Sequence, residues 1–325
     1  MTTNTPVYDV LAVGIAAVDD TLTLETYPSS GAKVPVLASA RSGGGLACTA
    51  IAAAAVLGGR TAYIARFGQD DLSQYIRSIL VQRRVDVSHI VPDSDGQPYH
   101  SHIVIDRASG ERTIFYNMSR FKPVLAEDVP ERLLASAGVL LVDFLAAPGP
   151  LELVLKARRA KVSVVADIEG QAPDVALLVE QVDHLVVPEE FARWFSGQLD
   201  LKSACAALAR TPRAATVVTA GAAGCWWTDS PDRPPVHLPA FAVQAVNTNG
   251  CGDTFHGAYA LAIARQFSVL EAVTFASASA AIKAAGPGGG WEALPTSTQV
   301  AELLRQRLAA DDPTRSLITR LNNMS

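Results

Sequence analysis

Short, unbroken apolar runs alternate with helical periods along nearly all of this chain, and few architectures tolerate that pattern. The runs are "YDVLAVGIAAVDD", "TAYIARFG", "GVLLVDFLA", "VSVVADIEG", "HLVVPEE" and "ATVVTAGAAG". Strands that are apolar at successive positions are buried on both faces, as in a parallel sheet covered by helices. The helical stretches between them include "GGGLACTAIAAAAVLGG", "LSQYIRSILVQRR", "LELVLKARRA" and "LKSACAALAR". The alternation predicts a doubly wound α/β fold with a mainly parallel sheet. In such folds the chemistry sits beyond the carboxyl ends of the strands. Gly14, Asp19 and Asp20 follow the first run directly.

Two stretches break the rhythm. Residues 20–42 and 97–118 alternate polar and apolar side chains without a helical period, and the second contains "DRASGER", a hairpin-turn sequence. They predict a small β-sheet lid built from two insertions. The expected division is a large α/β domain of residues 1–19, 43–96 and 119–325, with the lid at 20–42 and 97–118. A sheet exposed on one face can also serve as a homodimer surface.

The chain has 325 residues, 49% hydrophobic and 18% charged, enough for one large core plus a small appendage. A net charge of -5 and scattered basic residues argue against a nucleic-acid partner. The opening "MTTNTPVYDVLAVG" lacks the basic start of a secretion signal, and no run approaches the roughly 18 apolar residues of a membrane span. Cys48, Cys205, Cys225 and Cys251 show no metal-ligand spacing. Reduced thiols and a cytoplasmic location are the expectation.

The densest chemistry is in "NTNGCGDTFHGAYALAIA", residues 247–264, a glycine turn opening an alanine-rich helix. Helix-start amides are unpaired and carry partial positive charge, so Gly250, Cys251 and Gly252 can form an anion hole from main-chain donors alone. No lysine or arginine accompanies the turn; instead Asp253 stands at the helix start. A carboxylate there would repel a phosphate unless it has another task, such as taking the proton from an alcohol during phosphoryl transfer. A plain helix-capping aspartate explains the residue equally well from this turn alone.

Two motifs in register resemble those of the ribokinase-like (PfkB-type) carbohydrate kinases. "NTNGCGDTFHGA" is similar to that family's Asp-Thr-x-Gly-Ala-Gly-Asp signature, and "GGGLACTAIAAAAVLGG" to its Gly-Gly-x-x-x-Asn-x-Ala signature. The wording of "GGG", "GDTFHGA" and "GPGG" looks closest to the branch containing sulfofructose kinase. The resemblance spans nearly the whole chain and implies an ATP-dependent sugar kinase using Mg2+, with Asp253 as general base. It also implies that Asp19, in "GIAAVD", binds sugar hydroxyls and that Gly43, Gly44 and Gly45 let the backbone approach the sugar. Cys48 replaces the family's asparagine, Asp143 lies near an acidic residue of the sugar site, and Lys33 in the first insertion can meet an anionic substrate group.

On the nucleotide side the resemblance points to Thr219, Gly221 and Gly224 in "VVTAGAAG", and to Ser277 and Gly286 near the adenine. The family's metal-linked Asn-x-x-Glu element falls at "VVPEEFA", where Pro188 and Phe191 replace its two polar residues and Glu189 or Glu190 would have to substitute, through water. Asn247 replaces an aspartate that helps to bind a monovalent cation in the family, which speaks against potassium activation. His256, one helical turn past Asp253, reads as a packed or capping residue.

Rival readings are a nicotinamide dehydrogenase, a nucleoside or vitamin kinase of the same fold, and a sugar sensor with a damaged metal site. "GGGLAC" lacks the last glycine of the dinucleotide fingerprint, and no lysine follows a glycine as a Walker loop would need. The expected partners are a small sugar and ATP, without nucleic acid or membrane.

Overall fold

The computed structural model describes residues 6–144, 150–171, 175–211, 213–288 and 290–324. Its strands, in chain order, are β1 (Tyr8–Val13), β2 (Ala17–Leu24), β3 (Ala38–Gly44), β4 (Thr61–Ile64), β5 (Arg66–Phe67), β6 (Val91–Pro92), β7 (Tyr99–Asp106), β8 (Arg112–Asn117), β9 (Ala137–Phe144), β10 (Ser163–Ile168), β11 (His184–Pro188), β12 (Ala215–Thr219), β13 (Cys225–Thr228) and β14 (Val236–Leu238). Eight of them form one sheet in the order β14-β13-β12-β11-β10-β9-β1-β4. From β4 to β12 every neighbouring pair is parallel, and β13 and β14 add antiparallel at one end. This is the mainly parallel, doubly wound sheet that the alternation of runs predicts.

Each central strand is buried on both faces, and its successive side chains enter different cores. Val10, Val139, Val165, Val186 and Val217 point into one hydrophobic cluster, while Leu11, Leu140, Val164, Leu185 and Val218 point into the other. Helices Leu46–Val56, Cys251–Ala264 and Val269–Ala285 cover the first face. Helices Pro150–Arg159, Glu189–Ser196 and Leu201–Leu208 cover the second.

The first helical layer is packed closely enough to need glycine. A Cβ on Gly257 would stand 2.0 Å from the Ala50 carbonyl oxygen, so the crossing of two helices leaves no room for a side chain there. Their alanine-rich surfaces are buried nearly all round, which removes the one-sided apolar stripe of a surface helix.

A second sheet stands apart, four strands in the order β3-β2-β7-β8. It comes from the two stretches that break the strand-helix rhythm; residues 25–37 between its first two strands are turn and coil. β7 and β8 form a hairpin, closed by the Gly110 amide donating to Asp106 O at 2.9 Å. The register sets Asp19 beside Ser42 on one side and Ser101 on the other. On the opposite face Arg41 grips Asp20 through two 2.6 Å hydrogen bonds, and His100 Nε2 lies 2.8 Å from the same carboxylate.

Candidate active site

The parallel strands all end at one edge of the large sheet. That edge lines up the ends of β1, β9, β10, β11 and β12, so Asp143, Glu169, Glu190 and Thr219 come from neighbouring strand ends, while Asp19 comes from β2 of the small sheet, which follows β1 in the chain. Four interstrand steps separate β1 from β12, about 19 Å. Between this edge and the small sheet opens a cleft of about 1170 Å³. Asp19, Gly43, Gly44, Gly45, Gly250, Gly252 and Asp253 all line it.

The glycine turn is built by backbone geometry. Gly250 is the N-cap of helix Cys251–Ala264 and takes left-handed angles, φ 73° and ψ 11°, that a side chain would disfavour. Asn247 Oδ1 accepts the Asn249 amide at 2.8 Å, and the Cys251 amide donates to Thr248 O at 3.3 Å. Among the described residues the amides of Gly252 and Asp253 have no acceptor, as expected for the first turn of a helix. A Cβ on Gly252 would meet nothing within 4 Å, so the cleft beside those amides is open. Of the three amides the sequence points to, that of Cys251 is engaged, while those of Gly250 and Gly252 take no acceptor among the described residues, and Asp253 adds a further donor.

Carboxylates crowd this turn. Asp253 keeps part of its surface in the cleft, yet burial pushes its carboxyl well above the ordinary range, and Asp167, Glu169, Asp143 and Asp19 reinforce the shift. Burial raises Asp19 too, against a hydrogen bond from Ser101, with Asp20 adding to the rise. Glu169 is raised by burial and by Glu190. Beneath them Asp167 is only 2% exposed, and burial pushes its carboxyl well up, reinforced by Glu169 and Asp143.

His256 Nδ1 stands 3.2 Å from Asp167 Oδ2, but it points at Gly252 O, 2.8 Å away, while Nε2 faces Val186 O at 3.0 Å. Neither carboxylate oxygen of Asp167 takes a well-directed hydrogen bond. Carbonyl oxygens accept only, so both ring nitrogens must donate. Burial lowers the pKa of this ring, against the two carbonyls and the carboxylates of Glu169 and Asp143, which favour its charged form. His256 is a packed residue: it ties the helix Cys251–Ala264 to β11.

Other candidates from the sequence lie elsewhere. Asp143 is buried, and its Oδ2 accepts the amides of Ile15 at 2.8 Å and Ala47 at 2.9 Å; it clamps the first turn to the first helix and is absent from the cleft lining. Cys48 is fully buried against Tyr63, and its thiol is pushed well up by burial, so it offers nothing to a sugar. Lys33 is exposed in the coil before β3 and outside the lining. The three glycines do line the cleft, but the protein itself uses the space their side chains would fill. A Cβ on Gly44 would stand 2.3 Å from Asp19 Oδ2, one on Gly43 2.6 Å from Trp291, and one on Gly45 2.4 Å from Ile15 O.

Thr219, Gly221, Gly224, Ser277 and Gly286 sit outside the cleft lining. The first three form the turn from β12 to β13, where a Cβ on Gly224 would meet Leu238 O at 2.1 Å. Ser277 hydrogen-bonds the Cys225 thiol beside that turn, and Gly286 ends the helix Val269–Ala285. Glu189 is paired with Arg193 at 2.7 Å, whereas Glu190 acts on Glu169. The Cys251 thiol is pushed up by burial and is not activated, although Lys283 opposes the rise.

Sequence reasoning missed Glu169, Ser101, Trp291 and Lys283, all of which line the cleft. Glu169 had a visible signal, the "DIEG" ending a buried strand. Trp291 had none: its Nε1 reaches Thr49 Oγ1 at 3.1 Å across 242 residues of sequence.

Free helix-start amides beside a carboxylate, with a second carboxylate lining the same cleft, suit an enzyme that moves a phosphoryl group onto an alcohol. A family model described as pfkB family carbohydrate kinase matches residues 9–296. The chain belongs to that family, whose members are phosphotransferases. It is 24% identical over 286 residues to a ribokinase of Staphylococcus aureus, covering 84% of this chain and 92% of that one. It is 23% identical over 281 residues to a ketohexokinase of Mus musculus, covering 82% and 92%. The structure of Arabidopsis thaliana ribokinase complexed with ribose and ATP shares the fold with a TM-score of 0.80 at 21% identity, over 93% of this chain and 99% of that one.

Proposed function

We propose that this protein transfers the terminal phosphoryl of ATP to a hydroxyl, a primary one, of a monosaccharide such as a ketose or a sugar derivative. One observation carries the reading: Asp253 and the unengaged amides of Gly252 and Asp253 open into the same cleft as Asp19. Asp19, held by Ser101, accepts hydrogen bonds from the sugar's hydroxyls and turns one of them toward Asp253. Asp253 takes that hydroxyl's proton as the oxygen forms its bond to the γ-phosphorus. The bond between γ-phosphorus and the bridging oxygen breaks, and ADP leaves with the electron pair. The Gly252 and Asp253 amides stabilise the charge on the group in transit.

The nucleotide lies along the carboxyl edge, with Thr219, Gly221, Gly224, Ser277 and Gly286 on its adenosine side. The acid cluster fits a divalent cation: Glu169 lines the cleft, and burial and the neighbouring Glu190 raise its carboxyl, with His256 opposing the rise. Glu169 and Glu190 would hold Mg2+, which neutralises phosphate charge when bound. The small sheet acts as a lid that excludes water. Exposed Ile114, Phe115, Tyr116, Val34 and Val36 on that sheet and its coil support a lid-mediated homodimer.

ADP release measured over ketoses, pentoses, sugar acids and nucleosides tests the reading. Turnover with one or a few sugars supports it. Turnover with nucleosides alone would make this a nucleoside kinase, and binding of sugars with no ADP release would make it a sensor. No described helix is long and apolar enough to cross a membrane, and the four cysteines are free, which suits work in the reducing cytoplasm.

A further inference from the structure

The cleft lining holds three cations, Arg41, Arg112 and Lys283. Arg41 is committed to Asp20, and Arg112 lies on an exposed strand of the small sheet. Lys283 differs from both: it is 1% exposed, in the last turn of helix Val269–Ala285. Long charged side chains are almost never so buried unless paired. Its ammonium donates to the Asn249 carbonyl oxygen at 2.7 Å, one residue before the left-handed Gly250. A Cβ built on Gly250 would stand 3.8 Å from Lys283 Cε and 3.8 Å from Asp253 Oδ2, so the lysine stem and the base flank the same glycine. The helix carrying Lys283 is tied to the turn a second time, since the amides of Val246 and Asn247 donate to Ala284 O at 2.7 and 3.1 Å.

Asn249 O points into the lysine, and because the peptide is trans the Gly250 amide that follows turns the other way. Around the same spot stand the carboxylates of Asp253, Glu292 and Glu169, which would otherwise repel any anion. We propose that Lys283 is a positioning residue of the phosphoryl-transfer site: its ammonium fixes the 249–250 turn so that the Gly252 and Asp253 amides face the cleft, and its buried charge lets a terminal phosphate settle among the carboxylates. This inference rests on the kinase reading above. It assigns to one lysine, from the far end of the chain, the cationic part that the glycine turn itself lacks.

The test uses the full chain with Lys283→Met, which keeps the stem and removes the charge, and Lys283→Ala, which leaves space for a small amine. Wild-type protein is expected to bind the non-hydrolysable triphosphate analogue AMP-PNP more tightly than ADP, and Lys283→Met to lose that preference. In turnover, kcat should fall about 100-fold, in line with the loss of one oxyanion-stabilising donor, while KM for the sugar changes less than threefold. Methylammonium should restore at least tenfold of the activity of Lys283→Ala saturably, and tetramethylammonium, which cannot donate a hydrogen bond, should not.

A Lys283→Met enzyme within threefold of wild type in both kcat and AMP-PNP preference overturns the proposal. Folded Lys283→Ala that methylammonium leaves unchanged overturns it as well, even if Lys283→Met fails to fold. Should wild type turn over no hydroxyl acceptor yet show Lys283-dependent AMP-PNP preference, the sugar-kinase reading fails and this inference stands.

Discussion

Replacing Gly44 by alanine isolates the acceptor half of the site. A Cβ at that position would stand 2.3 Å from Asp19 Oδ2 and 2.7 Å from its Cγ, closer than any real contact, so the carboxylate must swing away. Asp19 is held by Ser101 and paired in register with it, and moving it breaks that support. A carboxylate accepting from a hydroxyl contributes about 1.5–3 kcal/mol per hydrogen bond. Loss of one to two such bonds costs roughly 3 kcal/mol, or about 150-fold in kcat/KM for the sugar. The fold should lose only about 1–3 kcal/mol, because the clash is with a side chain. Coupled-enzyme assays of ADP release, run with each substrate varied in turn, should show KM for ATP within twofold of wild type. In an Asp19→Ala background the clash is gone, so adding Gly44→Ala should cost little more, a non-additive pair. Equal losses for sugar and ATP, or full additivity with Asp19→Ala, would refute the reasoning.

Other outcomes follow from the same geometry. Gly257→Val places a side chain where a Cβ would already lie 2.0 Å from Ala50 O, and thermal unfolding should show destabilisation of more than about 3 kcal/mol, or no soluble protein; a melting temperature within a few degrees of wild type would contradict the helix crossing. In the proposed mechanism Asp253 acts as a carboxylate, and its carboxyl lies well above the ordinary range, so kcat/KM should fall as pH drops through that raised pKa and recover as pH rises. Asp143 is pushed up to about 6 by burial, so its protonated form dominates below that pH and its clamp on Ile15 and Ala47 loosens; it should add a second, structural loss there. Asp143→Asn should remove that second loss without moving the first.

Much of the large sheet was legible because its strands are apolar at successive positions, and a strand buried on both faces has few alternatives. The small sheet was legible for the opposite reason, as period-two alternation in two stretches that lack helical period. Asp253 and Asp19 were visible because a local motif carries each. Ser101 and Trp291 were not, since neither has a local motif; Glu169 ends the buried strand "VSVVADIEG", and Lys283 lies between Ser277 and Gly286 in a stretch read for its small residues alone. Cys48 and Asp143 show the converse, since a position matched to the family can be turned into the core or spent on backbone amides; Lys33, picked for its charge in the first insertion, is left on the surface. The helix bearing Lys283 gave no apolar stripe to read, because it is buried nearly all round.

The most direct measurement is single-turnover phosphoryl transfer by Asp253→Asn with ATP bound and the best sugar of the panel saturating. Removing a general base costs about 100- to 10,000-fold. The account predicts a loss of that size with ATP and sugar affinities nearly unchanged, insensitive to pH where wild type is sensitive. Transfer at a near-normal rate would contradict it.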